Sequence, residues 1–126
     1  MQPEEKKAYD DALNAFQTGS LKKSDEEFTA FAAKFPKSPY LPLALYWSGN
    51  SKYANKDYAG AINQLQGLIK KYPNHPRIPA AMVTLGNAQL ESGKKAVAKK
   101  TFAEIVSKYP DTESAKDAQQ LLAAIK

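Results

Sequence analysis

Three aromatic–proline pairs, Phe35-Pro36, Tyr72-Pro73 and Tyr109-Pro110, follow one another at intervals of 37 residues. A fixed period of that length confines the chain to a repeat architecture, in which each unit stacks on its neighbour because it cannot bury its apolar face alone. Sliding the chain by the same interval aligns Ala12 with Gly49 and Gly86, Phe16 with Tyr53 and Leu90, and Phe28 with Leu65 and Phe102. Phe31 falls on Leu68 and Ile105, and Lys34 on Lys71 and Lys108. A polar linker follows each proline: Lys37-Ser38-Pro39, Asn74-His75-Pro76 and Asp111-Thr112-Glu113.

Each unit reads as two helices. Leu45, Tyr46, Gly49 and Tyr53 recur at helical spacing and mark the first helix of the middle unit. The chain breaks at Asn55-Lys56-Asp57, with Gly19 and Gly93 at the equivalent breaks, and Asp57 is placed to cap the next helix. Tyr58, Ala61, Ile62, Leu65, Leu68, Ile69 and Tyr72 form the apolar stripe of that second helix. Pro73 ends it, since proline drives the preceding residue out of helical geometry. Pro42 and Pro79 fall near the start of first helices, where a missing N–H costs little. Small residues (Ala12, Gly49 and Gly86, with Ser24, Ala61 and Ala98) allow paired helices to approach closely. The last segment carries Ala115, Ala118, Leu121, Leu122 and Ile125 on one face and reads as a capping helix.

These residues resemble the tetratricopeptide repeat, whose small, alanine, large apolar and proline positions match Gly49, Ala61, Leu65 and Pro73, then Gly86, Ala98, Phe102 and Pro110. Repeat one departs from the pattern at Ser24. The usual period is about 34 residues, so the spacing of 37 places three extra residues in the turn around Asn74-His75-Pro76. The resemblance implies a single all-α domain over 1–126, a right-handed solenoid with repeats at about 4–38, 39–76 and 77–111 and a cap from about 112 to 126.

A narrower resemblance rests on longer phrases: residues 35–40, 46–50, 56–62, 70–76, 85–88 and 108–112, within a match from Ala8 to Ala124. They are similar to the C-terminal domain of the YbgF (cell division coordinator CpoB) family of Tol-Pal system proteins. That resemblance implies a periplasmic interaction module that binds TolA and helps coordinate outer-membrane constriction with the peptidoglycan synthesis machinery during division. It also implies a full-length protein trimerised by an N-terminal coiled coil, with the repeat domain alone monomeric. Outer-membrane assembly lipoproteins of the BamD type use similar phrases and supply the alternative, a scaffold in another envelope complex.

Composition bounds the function classes. Hydrophobic residues at 43% and charged ones at 25% match an ordinary globular chain. No apolar run approaches the roughly 20 residues of a membrane span. The N-terminus has no apolar signal region. Cysteine is absent and His75 is the single histidine, so thiolate chemistry has no sulfur and a metal centre at His75 has no second His or Cys as partner. Adjacent acids such as Glu4-Glu5 and Asp10-Asp11 point about 100° apart on a helix and do not share a site. The chain is therefore expected to be a binding protein, not an enzyme, with no cofactor.

The formal charge of +5 is concentrated in the middle: residues 1–36 carry a net −2, residues 37–73 and 74–110 carry +4 each, and the tail carries −1. An acidic partner would be steered there. Nucleic acid is not expected, because the lysine pairs come without an arginine cluster or a recognition helix, and several sit where a cation complements a helix C-terminus.

A repeat array of this kind binds through the face lined by its first helices. By position that groove comprises Tyr9, Leu13 and Phe16, then Tyr46, Asn50 and Tyr53, then Val83, Asn87, Leu90 and Glu91. Asn50 and Asn87 are one period apart, and each offers a donor and an acceptor to a bound backbone. The competing reading makes Tyr46 and Tyr53 packing residues. Trp47, the single tryptophan, is expected to pack against the turn at Ser38 to Leu41 or against repeat one.

Overall fold

The structure is a computed structural model and describes residues 2–125; Met1 and Lys126, the ends of the expected 1–126 domain, lie outside the described residues. Seven helices follow in order: α1 (Pro3–Gln17), α2 (Leu21–Lys34), α3 (Leu41–Ala54), α4 (Tyr58–Lys71), α5 (Ile78–Glu91), α6 (Lys95–Lys108) and α7 (Glu113–Ala124). No strand occurs among the described residues. The period has a direct geometric meaning. Two 14-residue helices, a three-residue turn and a six-residue turn make up each later repeat.

The breaks and stops fall where local chemistry sets them. Gly19 (φ 84°), Lys56 (φ 65°) and Gly93 (φ 79°) occupy the same turn position in left-handed geometry. Each closes a helix with paired backbone bonds, as where Lys56 N–H donates to Tyr53 C=O (2.9 Å) and Asp57 N–H to Lys52 C=O (2.8 Å). The Asp57 carboxylate then caps α4 by accepting from Gly60 N–H at 3.0 Å. Phe35, Tyr72 and Tyr109, each before proline, share φ near −122° to −130° and ψ of 53° to 61°, outside helical geometry.

Lysine carries a Cβ penalty at φ 65° that glycine escapes, offset partly by the greater freedom of glycine in the unfolded chain. Lys56→Gly is accordingly expected to raise stability by about 0.5–1 kcal/mol. Urea unfolding followed by circular dichroism measures it, and a loss of stability would refute the strain.

The apolar interior divides in two. Tyr9, Ala12, Phe28, Phe31 and Ala44 form one cluster, and the remaining core from Tyr46 to Ala118 forms the other. Trp47 packs against both. The division falls within α3, between Ala44 and Tyr46, and part of the α2–α3 seam beside it is polar. Ser24 and Ser51 hydroxyls meet at 2.8 Å, Ser48 donates to Asp25 Oδ1 at 3.1 Å, and Lys52 Nζ donates to Asp25 Oδ2 at 3.2 Å. One period later the same five positions hold Ala61, Ala88, Leu85, Ile62 and Gln89, so the α4–α5 seam is mostly apolar.

The small-residue positions face the largest side chains. A β-carbon at Gly49 would stand 2.7 Å from Leu65 Cγ, and one at Gly86 2.7 Å from Phe102 Cζ. Ala12 and Phe28, fully buried, occupy the matching positions in repeat one.

Candidate binding surface

The first helices pack in succession (α1 with α3, α3 with α5, α5 with α7), whereas the backbones of α2, α4 and α6 stay apart from one another. The first helices thus form the inner layer of a curved stack, and the second helices splay on the outer one. Helix α7 extends the inner layer: Asp117, Leu121 and Ala124 lie one period after Ala80, Thr84 and Asn87.

The ten residues expected to line the groove separate into three groups. Tyr9 and Tyr46 lie in the core. The Tyr9 ring stacks on Tyr40 (centroids 4.6 Å, 11° between planes) and meets Phe28 and Phe31 edge-on, while its hydroxyl accepts from Trp47 Nε1 at 3.2 Å. Burial raises the pKa of that hydroxyl above the ordinary tyrosine value, against the opposing pull of the Trp47 donor and the Arg77 charge. Tyr46 lies under the Arg77 guanidinium at 5.5 Å.

Leu13, Phe16 and Tyr53 form the second group, half-buried in packing. Leu13 lies against the repeat-one cluster. Phe16 lies 5.1 Å from Trp47 and Tyr53 5.6 Å from Tyr58. Burial, then the nearby Glu91 and Tyr58, raise the Tyr53 pKa. Trp47 therefore packs on repeat one, through Tyr9 and Phe16.

Asn50, Val83, Asn87, Leu90 and Glu91 remain, and they differ in availability. The Asn50 side-chain oxygen accepts from Thr84 Oγ1 at 2.7 Å, which ties α3 to α5. Asn87 has no such partner among the described residues, because Leu121 stands one period after Thr84 and offers no hydroxyl. Val83 and half-buried Asn87 line a cavity of about 340 Å³ with Asp117, Gln120 and Leu121 of α7. Leu90 lines a neighbouring cavity of about 490 Å³ with Leu121, Ala124 and Ile125. Glu91 is exposed at the end of α5. The α7 residues were missed by reading that helix as a cap alone; its register with the earlier first helices was the available signal.

Net positive charge lies away from the inner layer. On α3 and α5 the charged residues are Lys52, held by Asp25, and Glu91. Lys70, Lys71, Lys95, Lys99, Lys100 and Lys108 are exposed on α4 and α6, so the basic middle of the chain is its outer layer and not its groove. His75 is half-buried, accepts from Arg77 N–H at 3.1 Å through Nδ1 and shapes the inter-repeat turn. Among the described residues no three His, Cys, Asp or Glu side chains cluster to hold a metal ion, and no helix is long and apolar enough to cross a membrane.

Paired helices stacked at a fixed period, with an inner layer of first helices, define a tetratricopeptide-type α-solenoid. The chain is similar to the crystal structure of PcrH from Pseudomonas aeruginosa, with TM-score 0.83 and 17% identity over 99% of this chain and 94% of that one. It is also similar to a Q17M kinesin light chain structure from Podosopora anserina with nearly identical TPR-like repeats, with TM-score 0.78 and 17% identity over 98% of this chain and 66% of that one. A search of curated protein sequences finds no match. The chain belongs to the family described as YfiO, outer membrane lipoprotein, matched over residues 1–126.

Proposed function

We propose that the chain is a non-catalytic scaffold module of the cell envelope, facing the periplasm, that holds a segment of a partner protein along the inner layer at α5 and α7. The observation that carries this reading is the cavity between those helices, where Asn87 presents an amide without a partner among the described residues, beside the apolar Val83 and Leu121. An amide so placed can both donate to and accept from a peptide backbone while the apolar walls take a side chain. Membership of an outer membrane lipoprotein family supports the location.

The finer reading assigns the partner as TolA and the role as coordination of envelope constriction with peptidoglycan synthesis; the phrases at residues 46–50 and 70–76 support it. The family match over residues 1–126 favours a second reading, a scaffold of the outer-membrane assembly machinery of the BamD type. Calorimetric titration with the TolA periplasmic region separates them. Micromolar binding supports the first, and no heat at high micromolar concentration rejects it in favour of the second.

The two asparagines provide a further test. Asn87→Ala is expected to weaken the partner at least about fivefold while leaving the melting temperature unchanged, since a lost hydrogen bond is worth roughly 1 kcal/mol. Asn50→Ala instead loses the bond to Thr84 and is expected to cost about 1 kcal/mol of stability. Equal effects of the two on binding and on stability would remove the distinction on which this site rests.

A further inference from the structure

We propose that the outer groove between α4 and α6 is a second docking site, for an acidic peptide segment carrying one apolar anchor side chain. The groove has a built floor. Met82 and Leu85 of α5 are buried beneath it, with half-buried Ile69 and Tyr109 on its walls, around a cavity of about 210 Å³. That volume suits a single leucine- or phenylalanine-sized side chain. A second cavity of about 370 Å³, at the turn through His75, shares Pro73, Lys108 and Tyr109 with the first, so a bound chain has a continuous track.

The rim specifies the charge of the occupant. Lys70 and Lys108 stand exposed on either side. Over α4, α6 and the turn at 72–77 the chain has seven Lys and Arg residues against one acid, Glu104, which lies on the groove and 3.9 Å from Lys108. One such excess attracts a segment of opposite sign and sets its register, while the apolar floor retains it. The groove one period earlier is weaker in both properties. Ala32 and Ser48 stand where Ile69 and Leu85 do, and Asp25, Glu26 and Glu27 of α2 cut the basic excess, leaving six lysines against three acids over α2, α4 and the turn at 35–40. The site is therefore a property of the α4–α6 pair and not of the repeat in general. It lies on the layer opposite the α5–α7 cavity, so both can be filled at once and the chain bridges two partner segments.

A display library of random twelve-residue peptides, panned against the whole chain, tests this independently of the inner-layer reading. Enriched sequences are expected to carry Leu, Met or Phe flanked by at least two Asp or Glu. Their binding is expected to fall about tenfold in Lys70→Gln/Lys108→Gln, equivalent to about 1.4 kcal/mol, to weaken with salt, and to be unaffected by Asn87→Ala. Both lysines are exposed, so the double variant keeps its fold, as circular dichroism checks. Enrichment of peptides without acids, retention of full binding by the double variant, or loss on Asn87→Ala instead would each overturn the proposal. So would binding to phosphatidylglycerol vesicles, lost in the double variant, with no acidic peptide enriched; that outcome assigns the lysines to a lipid surface.

Discussion

Phe102→Ala is expected to lower the unfolding free energy by about 3–5 kcal/mol, the range for emptying a fully buried aromatic site. Phe102 has no exposed surface and occupies the space that Gly86 leaves open on α5. Gly86→Ala should also destabilise, by about 1–3 kcal/mol, because its methyl would force the ring aside. The informative measurement is the double variant. With the ring removed, the Gly86 methyl fills part of the cavity and gains helix propensity over glycine, so the second substitution becomes neutral or stabilising. Urea unfolding of the four proteins gives the coupling directly. Additive losses would mean that the glycine is small for some other reason than its approach to Phe102.

Asp25→Ala is expected to cost about 2 kcal/mol and to do so locally. The carboxylate accepts from Ser48 and Lys52 at the polar seam, and its removal leaves an ammonium only about a fifth exposed with no partner. Full burial of such a charge would cost about 3–5 kcal/mol, and partial access to water reduces that. Because the buried apolar core divides within α3, repeat one shares less of it with its neighbour than repeats two and three share with each other. Hydrogen exchange should therefore show the amides of α1 and α2 losing protection before those of α4 to α7. Uniform loss across the chain would argue for one cooperative unit. The triple change Asp25→Ile, Ser48→Leu, Lys52→Gln copies the residues of the α4–α5 seam and is expected to restore stability.

Periodicity made the helices, their stops and the close approach at Gly49 and Gly86 legible, because residues one period apart face the same backbone geometry. The Asp57 cap was equally readable, being a local bond over three residues. Periodicity is weaker where equivalent positions have different neighbours. Asn50 and Asn87 look identical in the chain, yet Thr84 occupies the first and nothing among the described residues occupies the second. Tyr9 and Tyr46 read as groove residues by position, but Tyr40 and Arg77, arriving from the next repeat, cover them. Helix α7 follows the same logic in reverse. Its apolar stripe reads as a cap, and only its place beside α5 makes Asp117, Gln120 and Leu121 a wall of the candidate site. The lysines were countable, but which layer bears them depends on how successive helices alternate between inside and outside.

Trp47 gives the chain its own optical gauge. It is the single tryptophan, its indole N–H is bonded to the Tyr9 hydroxyl, and its ring lies against Phe16 and Tyr46. Emission from this indole should shift to the red when α1 swings away, even while most of the helical signal persists. A fluorometer can thus watch the first repeat detach in real time, with no label attached.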